Sequence, residues 1–177
     1  MIQSKTDYIH DRIAEGEHQQ QDFKFEISDA RKIAKSLSAF SNTDGGRLLV
    51  GVKDNGKIAG VHSEEEVYMI EAAAKLYCKP SIDCEMHVHI VEGRTVLEVI
   101  VPPGEQKPYY AKDHDNHWWA YIRILDENIL ATPVHIKVWQ QAGTPKGAFV
   151  HYTEAEQVLL DYLSSHDSIT LNQYCRL

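Results

Sequence analysis

The chain has few cysteines, no long apolar run and a deficit of positive charge. Its three cysteines, Cys78, Cys84 and Cys175, are an odd number without C-x-x-C spacing, which is typical of reduced thiols in the cytoplasm. No apolar run approaches the roughly 20 residues that span a bilayer, and the polar N-terminal stretch is not typical of a signal peptide. We therefore expect a cytoplasmic protein without a membrane partner.

Acidic residues outnumber basic ones by 26 to 18 in the 177 residues, which gives a formal net charge of −8. A uniformly acidic surface weakens binding to the phosphate backbone of a nucleic acid. The charge is unevenly spread, however, because the segment 22–57 holds seven basic residues and five acidic ones. This segment allows a local patch that faces phosphates inside an acidic chain.

Hydrophobic periodicity predicts an α+β domain followed by a short helical tail. The predicted helices cover 5–16, 28–40, 63–80 and 132–143, with two more over 153–166 and 168–177. The predicted strands cover 21–27, 47–53 and 57–61, followed by one hairpin over 82–103 and another over 108–124.

Several details of this pattern can be compared with a structure. Strand 47–53 is apolar throughout and is expected at the centre of its sheet. Alternation places Phe23, Phe25 and Ile27 on one face of strand 21–27. Trp118 and Trp119 point to opposite faces of their strand, so we expect at least one of them in the core.

The stretch 51–57, G-V-K-D-N-G-K, fits the opening of the phosphate-binding pattern G-x-x-x-x-G-K-[ST]. Ile58 stands where that pattern requires a hydroxyl, and the residues after it favour a strand rather than the helix that binds phosphates. Asn55 and Gly56 are instead typical of the two positions of a hairpin turn that need a positive φ. The stretch therefore predicts a hairpin, and ATP is not expected as a ligand.

Three carboxylates form a candidate metal site. Glu17 and Asp22 lie on either side of the entry to strand 21–27, and Asp54 follows the predicted central strand. If these two strands are neighbours, the three side chains can meet and hold Mg²⁺ or Mn²⁺, which prefer oxygen ligands. Lys24 would then lie close enough to contact a phosphate.

The segments E-x(4)-DFK, AFSNTDGGRLLVGVKDNGKIAGV and YIRILDENILA resemble the Schlafen AlbA-like domain family over roughly residues 9–142. The resemblance implies a mixed, mainly antiparallel sheet with flanking helices over 1–143. A linker over 144–152 and a partial winged-helix-like tail over 153–177 would follow. Bacterial members are described as DNA-binding proteins or transcriptional regulators, so the favoured function is nucleic-acid binding, with DNA or RNA as the partner.

Two other functions stay open. Animal Schlafen domains can act as metal-dependent endoribonucleases, and the matching catalytic and metal-binding positions here are Glu17, Asp22 and Asp54. Asp22 stands where a longer Glu is usual. The third function is a protein-interaction module without activity, and a homodimer is a further expectation. Binding itself requires no cofactor, and catalysis is not the favoured interpretation. The expected nucleic-acid contacts are Lys24, Arg31, Lys32, Lys35, Arg47 and Arg123, the last being the arginine that matches the family's strand position.

Overall fold

The computed structural model describes residues 5–61, 63–142 and 153–177. The predicted linker over 144–152 lies outside these residues. The described chain forms two compact units, one ending at Gln140 and one beginning at Gln141. Within the described helices, none is both long and apolar enough to cross a membrane.

Four helices and eight strands are described in the first unit, the last helix ending one residue past its boundary. The helices are α1 (Lys5–Ala14), α2 (Ala30–Asn42), α3 (Glu65–Leu76) and α4 (Pro133–Gln141). The strands are β1 (Gln21–Lys24), β2 (Gly46–Val50), β3 (Cys78–Lys79), β4 (Glu85–Val91), β5 (Arg94–Val101), β6 (Tyr110–Lys112), β7 (Trp118–Ile124) and β8 (Glu127–Leu130).

The strands divide between two four-stranded sheets. The first has the order β1-β2-β5-β4, in which only the β1–β2 pair is parallel. The second has the order β3-β6-β7-β8 and is antiparallel throughout. The predicted α+β class with mainly antiparallel pairing is confirmed, and the apolar strand β2 lies between β1 and β5 as its composition predicts.

Helix α2 carries the core of the first unit. Asp29 caps its first turn by accepting a hydrogen bond from the Arg31 backbone N–H at 2.9 Å. Ile33, Leu37 and Phe40 lie at helical spacing and are buried in a cluster that includes residues of β2, β5, β6 and α3. Helix α1 supports the other face of the first sheet, where a second and smaller apolar cluster lies.

The end of α2 is joined directly to both sheets. Asn42 is buried, and its Nδ2 donates to the carbonyl oxygens of Tyr109 at 2.7 Å and Tyr121 at 2.9 Å. Its Oδ1 accepts from the Tyr109 backbone N–H at 2.7 Å. The chain then turns into β2 at Gly46, where a Cβ would lie 2.5 Å from the Phe40 ring. Helix and sheet approach closely there because glycine has no side chain.

Both predicted hairpins of the later chain are present. Strands β4 and β5 are joined by Glu92 and Gly93, which both have positive φ, as the tightest hairpin turn requires. Strands β6 and β7 form the other hairpin, with its tip at 113–117. Strand β8, which the sequence pattern did not predict, follows a tight turn at Leu125, where φ is 55°.

Four local expectations are wrong. Strand β1 ends at Lys24, so Phe23 and Ile27 enter different core clusters and Phe25 is exposed. Residues 57–61 make only an isolated bridge, Val52 to Ile58, rather than a returning strand. Helix α3 ends at Leu76, well before Pro80. Trp118 and Trp119 are both more than a third exposed, so neither is a core residue.

The turn at 53–57 has the hairpin form that the sequence predicts, with a different backbone. Gly56 N–H donates to the Lys53 carbonyl at 2.7 Å, and Lys53 N–H donates to the Lys57 carbonyl at 3.0 Å. Gly56 has a φ of 77°, while Asn55 is not among the described residues with positive φ. The loop therefore has three residues with one left-handed glycine. The next helix does not begin until Glu65, so this turn lacks the form of a phosphate-binding loop.

The second unit is described by two helices, α5 (Glu154–Leu163) and α6 (Leu171–Tyr174). Thr153 and Glu156 form a capping box at the start of α5, because they satisfy each other's backbone N–H groups. Thr170 and Gln173 form a second box at the start of α6.

Candidate nucleic-acid interface

Three of the predicted cationic contacts lie together on the first two turns of α2. Lys35 follows Arg31 by four positions and Lys32 by three, the spacing that places side chains on one side of a helix. The opposite side carries the buried Ile33 and Leu37. The burial of this apolar face therefore turns the three basic side chains towards the β6–β7 hairpin.

A surface cavity of about 140 Å³ lies between α2 and this hairpin. We call it the basic groove. Its lining is Arg31, Lys32, Lys35, Ala111, Lys112, Asp113, His114 and Tyr121. Four of these residues are cationic and one is acidic, so a groove with positive potential lies on a chain whose net charge is −8.

Aromatic rings and a backbone carbonyl, rather than carboxylates, contact Arg31 and Lys35 in the groove. The Arg31 guanidinium lies 5.1 Å from the centre of the Tyr77 ring, and its Nη1 donates to the His114 carbonyl at 3.2 Å. The Lys35 Nζ lies 5.0 Å from the centre of the Tyr121 ring. No ion pair among the described residues includes any of the four groove cations. Their charge is therefore not neutralised within the described chain.

The hairpin tip is tied to the start of α2. His114 Nε2 lies 3.0 Å from Asp29 Oδ2, on the residue that caps the helix. Burial raises the pKa of Asp29, but the Arg31 backbone N–H and His114 outweigh it, and the pKa is lowered from its ordinary value. At the tip itself, Asp113 accepts from the His117 backbone N–H at 2.8 Å and from the Trp119 indole at 2.7 Å. The His114 contact therefore joins the tip to α2, and the Asp113 contacts order the tip itself.

Arg123 lies elsewhere and is buried, with 1% of its side chain exposed. Its guanidinium donates to the Gln21 carbonyl at 3.0 Å and to Asn128 Oδ1 at 3.1 Å. It also lies 3.6 Å from Asp22 Oδ1 and 5.1 Å from the centre of the Phe40 ring. We call these residues the Arg123 cluster. A guanidinium buried there does not reach a phosphate backbone at the surface, so its expected contact with nucleic acid is not supported by its position.

Lys24 and Arg47, two further residues predicted to contact nucleic acid, already have polar partners within the first unit. Lys24 Nζ lies 2.6 Å from Asp22 Oδ2. Arg47 lies on the α1 side of the sheet, where its Nη1 donates to the Tyr8 hydroxyl at 3.0 Å and lies 3.5 Å from Glu98 Oε1. Neither residue lines the basic groove.

The structure brings together two of the three predicted carboxylates. Burial and then a hydrogen bond with Asp22 raise the pKa of Glu17, whose Oε1 accepts from the Phe23 backbone N–H at 2.9 Å. Asp54 lies on the exposed hairpin turn. Within the described residues, these three do not form a set whose ligand atoms all lie within 4.8 Å, and the set that does is Asp113, Asp115 and His117. The catalytic role of the predicted trio stays a prediction.

Sequence reasoning missed Lys112, His114 and Tyr121 as partners of α2. The hairpin tip was predicted, but nothing in the pattern shows that it packs beside a helix some 80 residues earlier. A basic helix face followed by a hairpin rich in Lys, His and aromatic residues is the one available signal. Proximity of the two elements comes only from the fold.

A protein-family model described as Schlafen, AlbA_2 matches residues 17–132, which is about two thirds of the chain. The chain belongs to this family. The match confirms the resemblance found in the sequence and covers α2, the basic groove and the Arg123 cluster.

Solved structures share this Schlafen AlbA_2 fold. A crystal structure of the DIP2311 protein from Corynebacterium diphtheriae matches at 18% identity with a TM-score of 0.53. The match covers 86% of this chain and 31% of that one, so the chain spans about a third of that protein. An NMR structure of the N-terminal domain of a protein from Nitrosomonas europaea, named as related to the ATP-dependent DNA helicase RecG, matches at 22% identity and TM-score 0.52. It covers 86% of this chain and 99% of that domain. No curated protein matches significantly.

Proposed function

We propose that this Schlafen AlbA_2 domain binds nucleic acid through the basic groove. The observation that supports this most directly is that Arg31, Lys32, Lys35 and Lys112 converge without a carboxylate partner in the described chain. Unpaired cations that repel one another are retained at some cost in stability. A polyanion relieves that repulsion and releases its own counterions.

The geometry favours contacts to the phosphate backbone over contacts to bases. The groove is shallow, and its cations are three lysines and one arginine, of which Arg31 and Lys35 lie against aromatic rings. Such contacts position a nucleic acid without reading its sequence. Binding should therefore depend steeply on salt and only weakly on sequence. DNA is the first ligand to test, since one structural neighbour is named for a DNA helicase. A role in transcription is part of the same proposal and depends on that binding.

The decisive experiment compares two charge reversals of equal size. Lys32→Glu with Lys35→Glu changes the groove, whereas Lys57→Glu with Lys75→Glu changes exposed lysines outside it. Fluorescence anisotropy with labelled DNA and RNA is measured from low to physiological salt. We expect the groove variant to lose affinity for all sequences alike and to lower the salt slope by about 2, at roughly 0.9 for each contact. The control should bind almost as wild type does.

Two results contradict the proposal. The first is a wild-type protein that binds neither DNA nor RNA at low salt, which favours a protein-interaction module. The second is an equal loss of affinity in both double variants, which would show that general charge and not the groove is responsible. Circular dichroism of each variant confirms that the fold is retained.

Metal-dependent cleavage of RNA is the alternative that the family offers, and the carboxylates do not fit a shared ion here. The Lys24 ammonium already lies against Asp22, and Asp54 is not part of a three-ligand set. We therefore derive no catalytic step through a metal, and we propose binding without cleavage. Incubation of structured RNA with Mn²⁺ tests this directly. Cleavage that disappears in a folded Asp54→Ala variant would overturn it.

A further inference from the structure

The outer face of the second sheet has a composition different from that of the groove. Lys79, Pro80, Tyr110 and Trp118 surround a shallow cavity of about 280 Å³. Lys79 is opposite Tyr110 in the β3–β6 pair, and Lys112 is opposite Trp118 in the β6–β7 pair. Since directly opposite residues share a face of a sheet, two aromatic rings and two lysines lie on one surface.

The aromatic rings of this surface are accessible for stacking. Trp118 is 38% exposed. Ala120, two residues further along β7, lies opposite Tyr110, and its small side chain leaves space between the Tyr110 and Trp118 rings. Lys112 Nζ lies 5.7 Å from the centre of the Trp118 ring and also belongs to the lining of the basic groove. Lys112 therefore connects the groove with the aromatic surface.

We infer that Tyr110 and Trp118 form a stacking site for an unpaired nucleobase, with Lys79 and Lys112 beside the adjoining phosphates. This inference rests on the proposed function and adds a preference to it. Aromatic rings flanked by cations are the combination with which proteins hold single strands, because every base offers a flat apolar face. A duplex keeps its bases stacked on each other and cannot use this site.

The test compares a single strand of thymidines with a duplex of the same length at one salt concentration. Base stacking contributes about 1–3 kcal/mol per base on substitution by alanine. Trp118→Ala should therefore weaken single-strand binding by about 5- to 150-fold and leave duplex binding nearly unchanged. Trp118→Phe should retain most of the affinity. Tyr68→Ala is the control, because Tyr68 is an exposed aromatic residue on α3 that lines neither the basic groove nor this surface.

The outcomes separate this inference from the proposed function. If wild type binds neither ligand, the groove proposal fails. If wild type binds both ligands and Trp118→Ala changes neither, the groove stands and the stacking site is wrong. A loss of single-strand binding in Tyr68→Ala as large as that in Trp118→Ala would show that the effect is not specific to this surface and would equally contradict the assignment to Trp118.

A second inference concerns β4, which is the edge of the first sheet. The two-residue turn at Glu92 and Gly93 makes Val91 and Arg94 a hydrogen-bonded pair. Hydrogen-bonded and non-hydrogen-bonded pairs alternate along an antiparallel ladder, so the backbone groups of His89, His87 and Glu85 also bond to β5. The backbone groups of Met86, Val88 and Ile90 therefore point away from the sheet. Val88 and Ile90 are also 62% and 61% exposed.

The opposite edge of the same sheet is protected. The carbonyl of Gln21 accepts from Arg123, and the N–H of Phe23 donates to Glu17 Oε1. Strand β4 is longer, pairs with β5 without a bulge, and contains neither lysine nor proline, which commonly protect edges. No described strand covers it.

We propose that β4 pairs with β4 of a second copy, antiparallel and centred on Val88. In this register Val88 faces Val88 of the other copy and Met86 faces Ile90, so each apolar side chain meets another. The same three residues carry the outward backbone groups, so each facing pair can exchange both of its hydrogen bonds. This single register pairs the apolar side chains and also pairs the backbone hydrogen-bonding groups. It is symmetric about Val88, as a contact between two identical surfaces requires.

Sedimentation equilibrium over a wide concentration range tests this pairing. Wild type should form a dimer that dissociates on dilution, since an edge contact buries less area than a permanent interface. Val88→Lys should be monomeric at all concentrations, and Val88→Thr should still associate because it keeps a β-branched side chain. Tyr68→Lys, at an exposed apolar position on α3, is the control. A monomeric wild type, or a dimer that survives Val88→Lys, would contradict the proposal.

Discussion

The basic groove and the Arg123 cluster both border α2 and β7, yet they accommodate positive charge in opposite ways. In the cluster, Arg123 has carbonyl, amide and carboxylate partners and almost no exposure to solvent. In the groove, Lys32 and Lys35 have no carboxylate partner in the described chain and remain partly in solvent. The difference indicates that a cation with partners inside the fold stabilises the fold, whereas a cation without a carboxylate partner is available to bind a ligand. The following experiments test that rule.

The largest expected effect is the loss of stability in Arg123→Met. This change removes a buried cation and leaves Asp22 and the Gln21 carbonyl without it, so we expect a loss of about 3–5 kcal/mol in unfolding free energy. Urea denaturation measures it. Lys35→Met, in the groove, is the control and should cost less than about 1 kcal/mol, since a partly exposed cation–π contact contributes little. Equal losses of unfolding free energy in both variants would contradict the difference that we assign to the two regions.

A smaller loss of stability is expected for Asp22→Asn. The side chain keeps its shape, but Arg123 and Lys24 lose their carboxylate partner, and removing one member of such a buried network costs about 1–3 kcal/mol. Urea denaturation again gives the value. A variant as stable as wild type would show that the Arg123 cluster does not depend on this charge.

The groove should show its effect in binding rather than in stability. Lys35→Met removes one phosphate contact, so the salt slope of DNA binding should fall by about 1. The same measurement on folded Arg123→Met should give the wild-type slope. If the slope changes in Arg123→Met and not in Lys35→Met, the roles that we assign to the two regions are reversed.

The smallest expected effect is a change in the pH dependence of stability at Glu17. Its pKa is raised by burial and by Asp22, so the folded state binds this proton more tightly than the unfolded chain does. The resulting stabilisation is complete below the ordinary pKa of 4.5 and is lost as pH rises through the raised value. Glu17→Gln should remove this decline. Melting temperatures from pH 4 to pH 8 measure it, and an unchanged profile would contradict the assignment.

The sequence predicted those parts of the fold that depend on local chemistry. The helices over 28–40 and 153–166 and the hairpin over 82–103 are determined by residues close in the chain. The basic face of α2 follows from helical spacing alone. The Schlafen AlbA_2 resemblance was confirmed for the same reason, because its motif at 39–61 combines such local signals.

The errors arose where a side chain's surroundings come from distant parts of the chain. Nothing in the local sequence of β7 marks Arg123 as buried, and it is buried by β1, by Phe40 of α2 and by Asn128 of β8. Trp118 and Trp119 are both exposed because neither face of the β6–β7 hairpin is closed over them. Phe25 is exposed because β1 ends one residue earlier, where Gly51 N–H pairs with the Lys24 carbonyl.

The contacts of Asn42 have a consequence for how this domain can change. Its side chain holds β6 and β7 by their backbone groups alone, at Tyr109 and Tyr121. These particular contacts between helix and hairpin therefore do not depend on which side chains Tyr109 and Tyr121 carry. Substitutions that line the groove can alter its charge and its ligand while the walls stay in place. A single amide thus holds one end of the groove in place while the residues that line it can change.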